Sequence, residues 1–276
     1  MADIMRILIS TDIEGVAGVF HAEQTRAGNG EYERARRWMT REANAAVEGA
    51  FAGGATEVMV NDSHGGFRNL LPDELDPRAR LVLGKPRYLG MAAGVEAGCD
   101  AMFMIGYHGK SQSAGILAHT INSFAFARVW LGGVEASEAA LYGALAGERG
   151  VPVVMASGDD VFCEETQLIF PHARFVQTKA AWGQGSGMTL SPSQSCDLIR
   201  DAASEALADP RKWHAFKVET PVEVRLQAQT TALADLFCQW PTLERIDGVT
   251  LQFAAPSVEA AVRMLNCLSA MSFMLR

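Results

Sequence analysis

Short apolar runs alternate with longer amphipathic segments along most of the chain. Residues 6–11 (RILIST) are apolar and rich in β-branched side chains, which predicts a buried strand. Residues 32–53 mix charged and apolar positions and end at a glycine pair, which predicts a long helix. Residues 57–61 (EVMVN) and 101–107 (AMFMIGY) predict two more buried strands. The alternation predicts an α/β fold, a mostly parallel doubly wound sheet with helices on both faces.

The same pattern continues to the end of the chain, with one change of composition. Further predicted strands are 80–83, 151–156, 221–229 and 249–253, with a hairpin over 123–134, and further predicted helices are 88–98, 138–149, 193–208, 231–240 and 257–274. Residues 182–192 (WGQGSGMTLSP) are rich in glycine and serine, which predicts a loop or a boundary. We therefore expect an α/β domain over residues 1–190 and a smaller α+β lobe over residues 191–276.

Charge and cysteine content narrow the class of protein. The chain has 24 Lys and Arg against 32 Asp and Glu, a net charge of −8, and no basic patch, which disfavours nucleic-acid binding. The apolar stretches are interrupted before about 18 residues, so no membrane span is expected. The five cysteines are odd in number and never spaced as C-x-x-C, which favours reduced thiols in the cytoplasm.

Polar side chains follow three of the predicted strands. Asp12 and Glu14 come after the first strand, two residues apart, so in extended backbone both carboxylates point the same way. His64 follows the second strand and His108 follows the strand at 101–107. The carboxyl ends of parallel strands lie at one edge of a sheet, where open α/β folds bind ligands. Carboxylates and imidazoles converging there predict a zinc site or a pair of divalent metals.

The alternative for any single one of these residues is a turn former or a helix cap. His119 lies in an uncharged stretch beyond His108 and is a further candidate. Asp159 and Asp160 follow the strand at 151–156, where a helix N-cap is favoured over a role behind the metal ligands. No phosphate loop or G-x-S-x-G motif is present, which disfavours nucleotide-dependent and serine-hydrolase chemistry.

At these positions the sequence resembles the zinc-dependent D-aminopeptidase family of the DppA type over essentially its whole length. The matching segments are 12–15 (DIEG), 32–33 (YE), 39–44 (MTREAN), 57–64 (EVMVNDSH), 106–108 (GYH), 118–120 (AHT), Glu138 with 146–147 (AG), 150–153 (GVPV) and 158–160 (GDD). The segment at 183–187 (GQGSG) departs from the family, which more often carries an arginine-containing stretch there.

The resemblance implies a ligand set and one catalytic residue. One zinc would be bound by Asp12, Glu14 and His64. The second would be bound by Asp12, His108 and Glu138, with Asp12 bridging the two ions. His119 matches the family's catalytic histidine. Two zinc ions per chain are therefore expected.

The resemblance also implies the activity: an aminopeptidase that hydrolyses short peptides or amides with an N-terminal D-amino acid. It further implies a homo-oligomer, a decamer of two five-membered rings. Two alternatives stay open. One is another metal-dependent amidase or hydrolase on the same scaffold, although few basic residues stand beside the ligands in sequence to hold a phosphoester. The other is a non-catalytic peptide-binding protein.

Overall fold

A computed structural model of the protein describes residues 4–276, and these form two β-sheets with helices packed on them. The strands are β1 (Arg6–Thr11), β2 (Glu57–Asp62), β3 (Arg80–Val82), β4 (Ala101–Ile105), β5 (Phe126–Leu131), β6 (Val134–Glu135), β7 (Val153–Asp159), β8 (Arg174–Gly183), β9 (Ser186–Thr189), β10 (Val222–Ala228), β11 (Glu244–Arg245) and β12 (Thr250–Ala255). The α-helices are α1 (Gly30–Ala52), α2 (Glu138–Glu148), α3 (Asp160–Gln167), α4 (Pro192–Ala206), α5 (Thr231–Phe237) and α6 (Val258–Met271).

The larger sheet has seven strands in the order β3-β2-β1-β4-β7-β8-β9. All neighbouring pairs are parallel except β8 and β9, which are antiparallel. Its central strand β4 is buried at every position, because helices cover both faces and leave no solvated side. The predicted mostly parallel α/β sheet is therefore confirmed.

Successive residues of the central strands point to opposite faces of this sheet. Ile7 and Ile9 pack with α1 and α4 in one apolar core. Leu8 and Met102 pack in a second core that continues into α2 and the smaller sheet. On the first face α1 and α4 approach closely, since a Cβ at Gly49 of α1 would lie 2.2 Å from the carbonyl oxygen of Arg200 in α4.

The smaller sheet is antiparallel, with five strands in the order β11-β12-β10-β5-β6. Buried and exposed positions alternate along most of β10, as expected for a strand with one solvated face. Helices α5 and α6 pack on the other face, and α6 also contacts α2. The predicted hairpin over residues 123–134 is present as β5 and β6.

Two local predictions are wrong. The glycine- and serine-rich segment at 182–192 is mostly the β8–β9 hairpin, where small residues allow a tight turn. Residues 88–98 form two short 3₁₀ turns, Gly90–Ala92 and Val95–Ala97, instead of one helix. Glycines with positive φ at 90, 94 and 98 divide that segment, because a continuous right-handed helix does not accept them.

The predicted division of the chain at residue 190 does not coincide with the division between the sheets. Strands β5 and β6 precede that position, yet they belong to the smaller sheet, because β5 pairs with β10, which follows it. Helix α4 follows residue 190 and packs on α1 of the larger sheet. Two folding units of 1–190 and 191–276 stay a prediction.

One segment, Val258–Leu275, is long and apolar enough by length and composition to cross a membrane, with a mean hydropathy of 1.3. This differs from the expectation drawn from the sequence. The segment consists of α6 and the 3₁₀ turn that follows it. Its Val258, Val262 and Leu265 are buried in the core against the smaller sheet, and 33% of the whole segment is buried.

Candidate metal centre

The loops that follow β1, β2 and β4 carry Asp12, His64 and His108, and these three strands are neighbours in the larger sheet. The loops after β1 and β4 touch backbone to backbone, with the Gly15 amide donating to the Gly106 carbonyl at 2.7 Å. A Cβ at Gly15 would lie 1.8 Å from the carbonyl oxygen of Tyr107. A side chain at Gly15 would therefore push the two ligand-bearing loops apart.

Asp12 occupies the middle of the resulting cluster. Its Oδ1 lies 3.2 Å from His64 Nδ1, and Glu14 Oε2 lies 3.1 Å from the same nitrogen. Its Oδ2 lies 3.4 Å from His108 Nε2, on the other side of the carboxylate. The two oxygens of one side chain therefore face two separate imidazoles.

Glu138 completes the second side. It is the first residue of α2, directly after Ser137, whose hydroxyl caps the helix by accepting from the Ala140 amide. Its Oε2 lies 3.7 Å from His108 Nε2, and its Oε1 lies 3.6 Å from His119 Nε2. The imidazoles of His108 and His119 are stacked, with ring centres 4.2 Å apart.

The structure thus brings together all six residues singled out in the sequence. We call Asp12, Glu14, His64, His108 and Glu138 the ligand cluster. Ligand atoms lie within 4.8 Å of one another in two groups: Asp12, Glu14 and His108, and His108, His119 and Glu138. Glu14 Oε2 and His108 Nε2 are buried and have no hydrogen-bond partner among residues 4–276. Buried polar atoms of this kind require a partner, and this nitrogen and oxygen set suits zinc.

Backbone carbonyls fix the orientation of the imidazoles. His64 Nε2 lies 2.8 Å from the Thr25 carbonyl, which leaves Nδ1 for the carboxylates. His108 Nδ1 lies 3.0 Å from the Gly109 carbonyl, which leaves Nε2. In metal sites a hydrogen bond of this type to the outer nitrogen holds the ring in place. Thr25 carries no signal in the sequence, because its contribution is a backbone atom.

Charges in the cluster act on one another strongly. Burial raises the pKa of Asp12, and the charge of Glu14 raises it further. Burial also favours a higher pKa at Glu14, but the neighbouring imidazoles, His64 above all, outweigh it and hold that pKa well below its usual range. Burial favours a lower pKa at His64 and His108, yet the neighbouring carboxylates raise the pKa of both imidazoles well above the usual value. Protons and a metal ion therefore compete for the same atoms.

His119 is held by a strained loop. The residues two positions before and after it both have positive φ, 54° at Leu117 and 62° at Ile121. The Leu117 carbonyl lies 3.0 Å from His119 Nδ1, and the Ile121 amide donates to Glu138 Oε1 at 2.5 Å. Branched or bulky residues rarely adopt this conformation, which costs of order 1–3 kcal/mol each and is concentrated at functional sites.

A second buried group supports the loop that carries Glu14. We call Glu42, Lys179 and Ser195 the support cluster. Lys179 Nζ donates to the carbonyl oxygens of Glu14 and Val19. Glu42 Oε1 accepts from the Ala17 amide at 3.0 Å and from the Ser195 hydroxyl at 2.7 Å. Burial raises the pKa of Glu42 to about 7 and lowers that of Lys179 to about 8. No pattern along the chain marked these residues as partners, because they come from three separate elements, α1, β8 and α4.

Two cavities open from the cluster, of about 940 Å³ and about 850 Å³. Both are lined by His64 and His119. The basic side chains along their walls are Arg26, Lys85, Arg87, Arg263 and Arg276. The expectation that few basic residues stand beside the ligands is therefore wrong for the folded protein. None of the five is a neighbour of a ligand in sequence, and the fold brings them to the cavities.

The remaining candidates are structural. Asp159 is the N-cap of α3, with Oδ1 accepting from the Phe162 amide at 2.8 Å, which confirms the favoured interpretation. Asp160 Oδ1 accepts from the Ala181 amide at 2.8 Å. The segment Gly183–Gly187 comprises the end of β8, the turn at 184–185 and the start of β9, and its Gln184 lines the smaller cavity.

Comparison with known proteins gives three findings. The model of a peptidase family, M55, described as D-aminopeptidase, matches residues 5–267. A D-aminopeptidase of Bacillus subtilis (strain 168) is 30% identical over 208 residues, which cover 75% of this chain and 76% of the relative. A solved structure, described as the Zn-dependent D-aminopeptidase DppA from Bacillus subtilis, a self-compartmentalizing protease, superposes with a TM-score of 0.94 at 27% identity and covers 98% of each chain.

Proposed function

The chain belongs to the D-aminopeptidase family, and we propose that it is a dinuclear zinc aminopeptidase acting on short peptides or amides with an N-terminal D-amino acid. The position of Asp12 carries the proposal. Its two carboxylate oxygens face different imidazoles, as a bridging ligand requires. We assign Asp12, Glu14 and His64 to one ion and Asp12, His108 and Glu138 to the other.

The donor set supports zinc at both positions. Imidazole nitrogens and carboxylate oxygens are common zinc ligands, and five residues exceed what one closed tetrahedral site takes. Bound zinc would supply Lewis acidity, which polarises a carbonyl and makes hydroxide available near pH 7. The residues of the chain would position that chemistry: Thr25 and Gly109 orient the ligands His64 and His108 through their carbonyls.

His119 is proposed as the group that moves the proton. Its Nδ1 is oriented by the Leu117 carbonyl, and its Nε2 faces Glu138 and the cavity. An imidazole suits proton transfer near neutral pH, and the departing amine of a peptide needs a proton. Its side chain is 22% exposed, against 1% for His108, so His119 is the more accessible of the stacked pair.

The direct test is a panel of D- and L-aminoacyl amides and dipeptides, each with a free and an acetylated amine. We expect hydrolysis of the D-substrates with a free amine, loss of activity with a chelator, and recovery with zinc. Activity that survives complete metal removal would contradict the zinc assignment. Equal turnover of acetylated substrates would instead indicate a general amidase.

A phosphoester hydrolase is the second candidate, since the five basic side chains of the cavities suit a phosphate. The family membership favours a peptide. Hydrolysis of a generic aryl phosphate faster than of every D-aminoacyl substrate would reverse this order.

We also propose a homo-oligomer, with a decamer as the expected form, and a cytoplasmic location. The solved relative is described as self-compartmentalizing, and large apolar side chains are exposed here, among them Tyr88, Leu168 and Trp182. All five cysteines, which lie within residues 4–276, are free thiols, as expected of a reducing compartment. Light scattering on the purified protein measures the oligomeric state, and a monomeric mass would contradict the first part.

A further inference from the structure

Positive side chains collect around the candidate site although the chain has a net charge of −8. Five basic residues line the two cavities, Arg26, Lys85, Arg87, Arg263 and Arg276. Among the described lining residues, Glu96 is the only acid outside the ligand cluster. Glu96 Oε2 is already occupied, because it accepts from the Gly94 amide at 2.7 Å.

Most of these cations have no carboxylate partner within 4.0 Å among residues 4–276. Arg263 is the exception, with Glu259 at 3.1 Å. Lys85 and Arg87 have no carboxylate within 4.0 Å among residues 4–276. An unpaired cation in a partly enclosed cavity attracts an anionic group of the ligand.

Lys85 has the most informative position, since it borders both cavities. Its Nζ donates to the Gly65 carbonyl at 2.8 Å, and Gly65 directly follows the candidate ligand His64 in sequence. An ammonium has three donors, so two remain for a ligand. Partial burial lowers the pKa of Lys85, and the nearby charge of Arg87 lowers it further.

Arg87 and Lys85 both lie near the aromatic ring of Phe67. The Arg87 guanidinium carbon is 3.8 Å from the centre of the Phe67 ring, and Lys85 Nζ is 5.4 Å from it. Arg87 Nη2 donates to the Asp62 carbonyl at 2.5 Å, whereas Nε and Nη1 are buried without a hydrogen-bond partner among residues 4–276. Arg87 therefore adds positive charge behind Lys85 with no carboxylate within 4.0 Å, although the charges of Asp62 and Glu96 lie near enough to act on it.

We propose that Lys85, with Arg87 behind it, binds the free C-terminal carboxylate of a short peptide substrate. The enzyme then favours di- and tripeptides with a free carboxylate over the corresponding amides. This inference rests on the proposed aminopeptidase function, which brings the N-terminal residue to the ligand cluster. An extended dipeptide spans about 7 Å, and the Lys85 ammonium is bonded to the carbonyl of Gly65, the residue that follows His64 in sequence.

The test compares D-alanyl-glycine with D-alanyl-glycine amide on the zinc-loaded enzyme. We expect kcat/KM of the wild type to be higher for the free acid by about ten- to a hundredfold, the usual effect of one charge-assisted hydrogen bond. Lys85→Met should remove that preference and change turnover of the amide less than about threefold. Lys85→Arg, which keeps the charge, should retain most of it.

Arg263→Gln is the matched control. Arg263 lines the larger cavity, but its guanidinium is paired with Glu259 and lies over the Tyr88 ring at 4.6 Å. Its substitution should leave the acid-to-amide ratio at the wild-type value. A loss of turnover in Lys85→Met that is equal for acid and amide indicates a structural role and overturns the inference.

Failure of the inference is distinguishable from failure of the proposed function. If the wild type hydrolyses acid and amide equally well, the aminopeptidase assignment stands and the carboxylate site does not. If neither is hydrolysed, the aminopeptidase assignment fails, and ligand-observed NMR titration of the metal-free protein with the same two compounds decides. Tighter binding of the acid that is lost in Lys85→Met supports the carboxylate site, and equal binding overturns it.

Discussion

The ligand cluster and the support cluster are both buried, both charged and both in contact with the loop that follows β1. They differ in where their polar atoms point. Lys179 donates to two backbone carbonyls, and Glu42 Oε1 accepts from an amide and a hydroxyl. In the ligand cluster, Glu14 Oε2 and His108 Nε2 have no hydrogen-bond partner among residues 4–276.

This difference separates a binding site from a structural network. Glu42 Oε2 also lacks a partner, but a carboxyl whose pKa is raised to about 7 by burial can hold its own proton. The carboxylate of Glu14 has its pKa lowered by His64 and stays charged. Both clusters are thus buried and charged. Only in the ligand cluster do unpartnered lone pairs converge on common points, which is the feature that marks a candidate metal centre.

The largest effect is expected at Asp12, because the proposed bridge serves both ions. Asp12→Ala should lose both zinc ions and at least about 10³-fold in kcat. Glu14→Ala should lose one ion. His214→Gln is the control, since His214 is exposed and contacts the ring of His172, away from the ligand cluster. Elemental analysis and kinetics on the same preparations measure this, and equal zinc loss in Asp12→Ala and Glu14→Ala would contradict bridging.

His119 tests where the ligand cluster ends. If it moves a proton without binding zinc, His119→Ala should lose about 10²–10⁴-fold in kcat and keep both ions. The substrate KM should change little. The nearness of His119 Nε2 to Glu138 Oε1, 3.6 Å, makes ligation the competing interpretation. Loss of one zinc from the variant would move His119 into the ligand cluster.

Lys179 tests whether the support cluster acts only through structure. Lys179→Met leaves the carbonyls of Glu14 and Val19 without their donor, which should cost about 2–4 kcal/mol of folding stability. It should weaken zinc retention about tenfold, because the loop that carries Glu14 loses its anchor. Thermal unfolding and competition with a chelator measure the two effects. Lys212→Met, at an exposed lysine near Asp209, is the control, and unchanged zinc affinity in Lys179→Met would show that the two clusters are independent.

The smallest effect is expected at Glu42 and depends on pH. Burial raises its pKa from 4.5 to about 7, so the folded protein keeps a proton that the unfolded chain releases. The stability contributed by this proton is complete below about pH 4.5 and is lost as the pH rises through 7. Glu42→Gln does not titrate, so the wild type should lose about 1–3 kcal/mol relative to this variant between about pH 5 and pH 8. A difference in Tm that is constant over this range would show that Glu42 is ionised throughout.

Local pattern determined much of the fold. The run at 6–11 became β1, and the amphipathic stretch with its glycine stop became α1, which ends at Ala52 and is followed by Gly54 with φ of 104°. Hydrophobic periodicity and caps act within a few residues, so they are readable along the chain. The prediction of a loop over residues 182–192 was wrong because glycine and serine suit a hairpin turn as well as a loop.

The sequence by itself also determined that Asp12, His64 and His108 would meet, because a parallel sheet places the ends of its strands at one edge. It marked His119 as a candidate, but the catalytic role of His119 and the whole assignment of Glu138 came only through resemblance to a family. Tertiary structure alone decided which atoms face one another. Asp12 turns one oxygen to each imidazole, and the Ile121 amide holds Glu138 from a loop in a strained conformation.

The support cluster and the basic lining of the cavities were likewise decided only in three dimensions. Lys179 reaches the loop after β1 from β8, at a sequence separation of 165 residues from Glu14. Lys85 meets the neighbour of His64 through a single backbone carbonyl. Contacts of this kind depend on chain direction and on backbone atoms that every residue has, so no pattern of residues along the sequence predicts them. The sequence determined which chemistry this protein carries, and the fold decided which of its many charged side chains face a ligand.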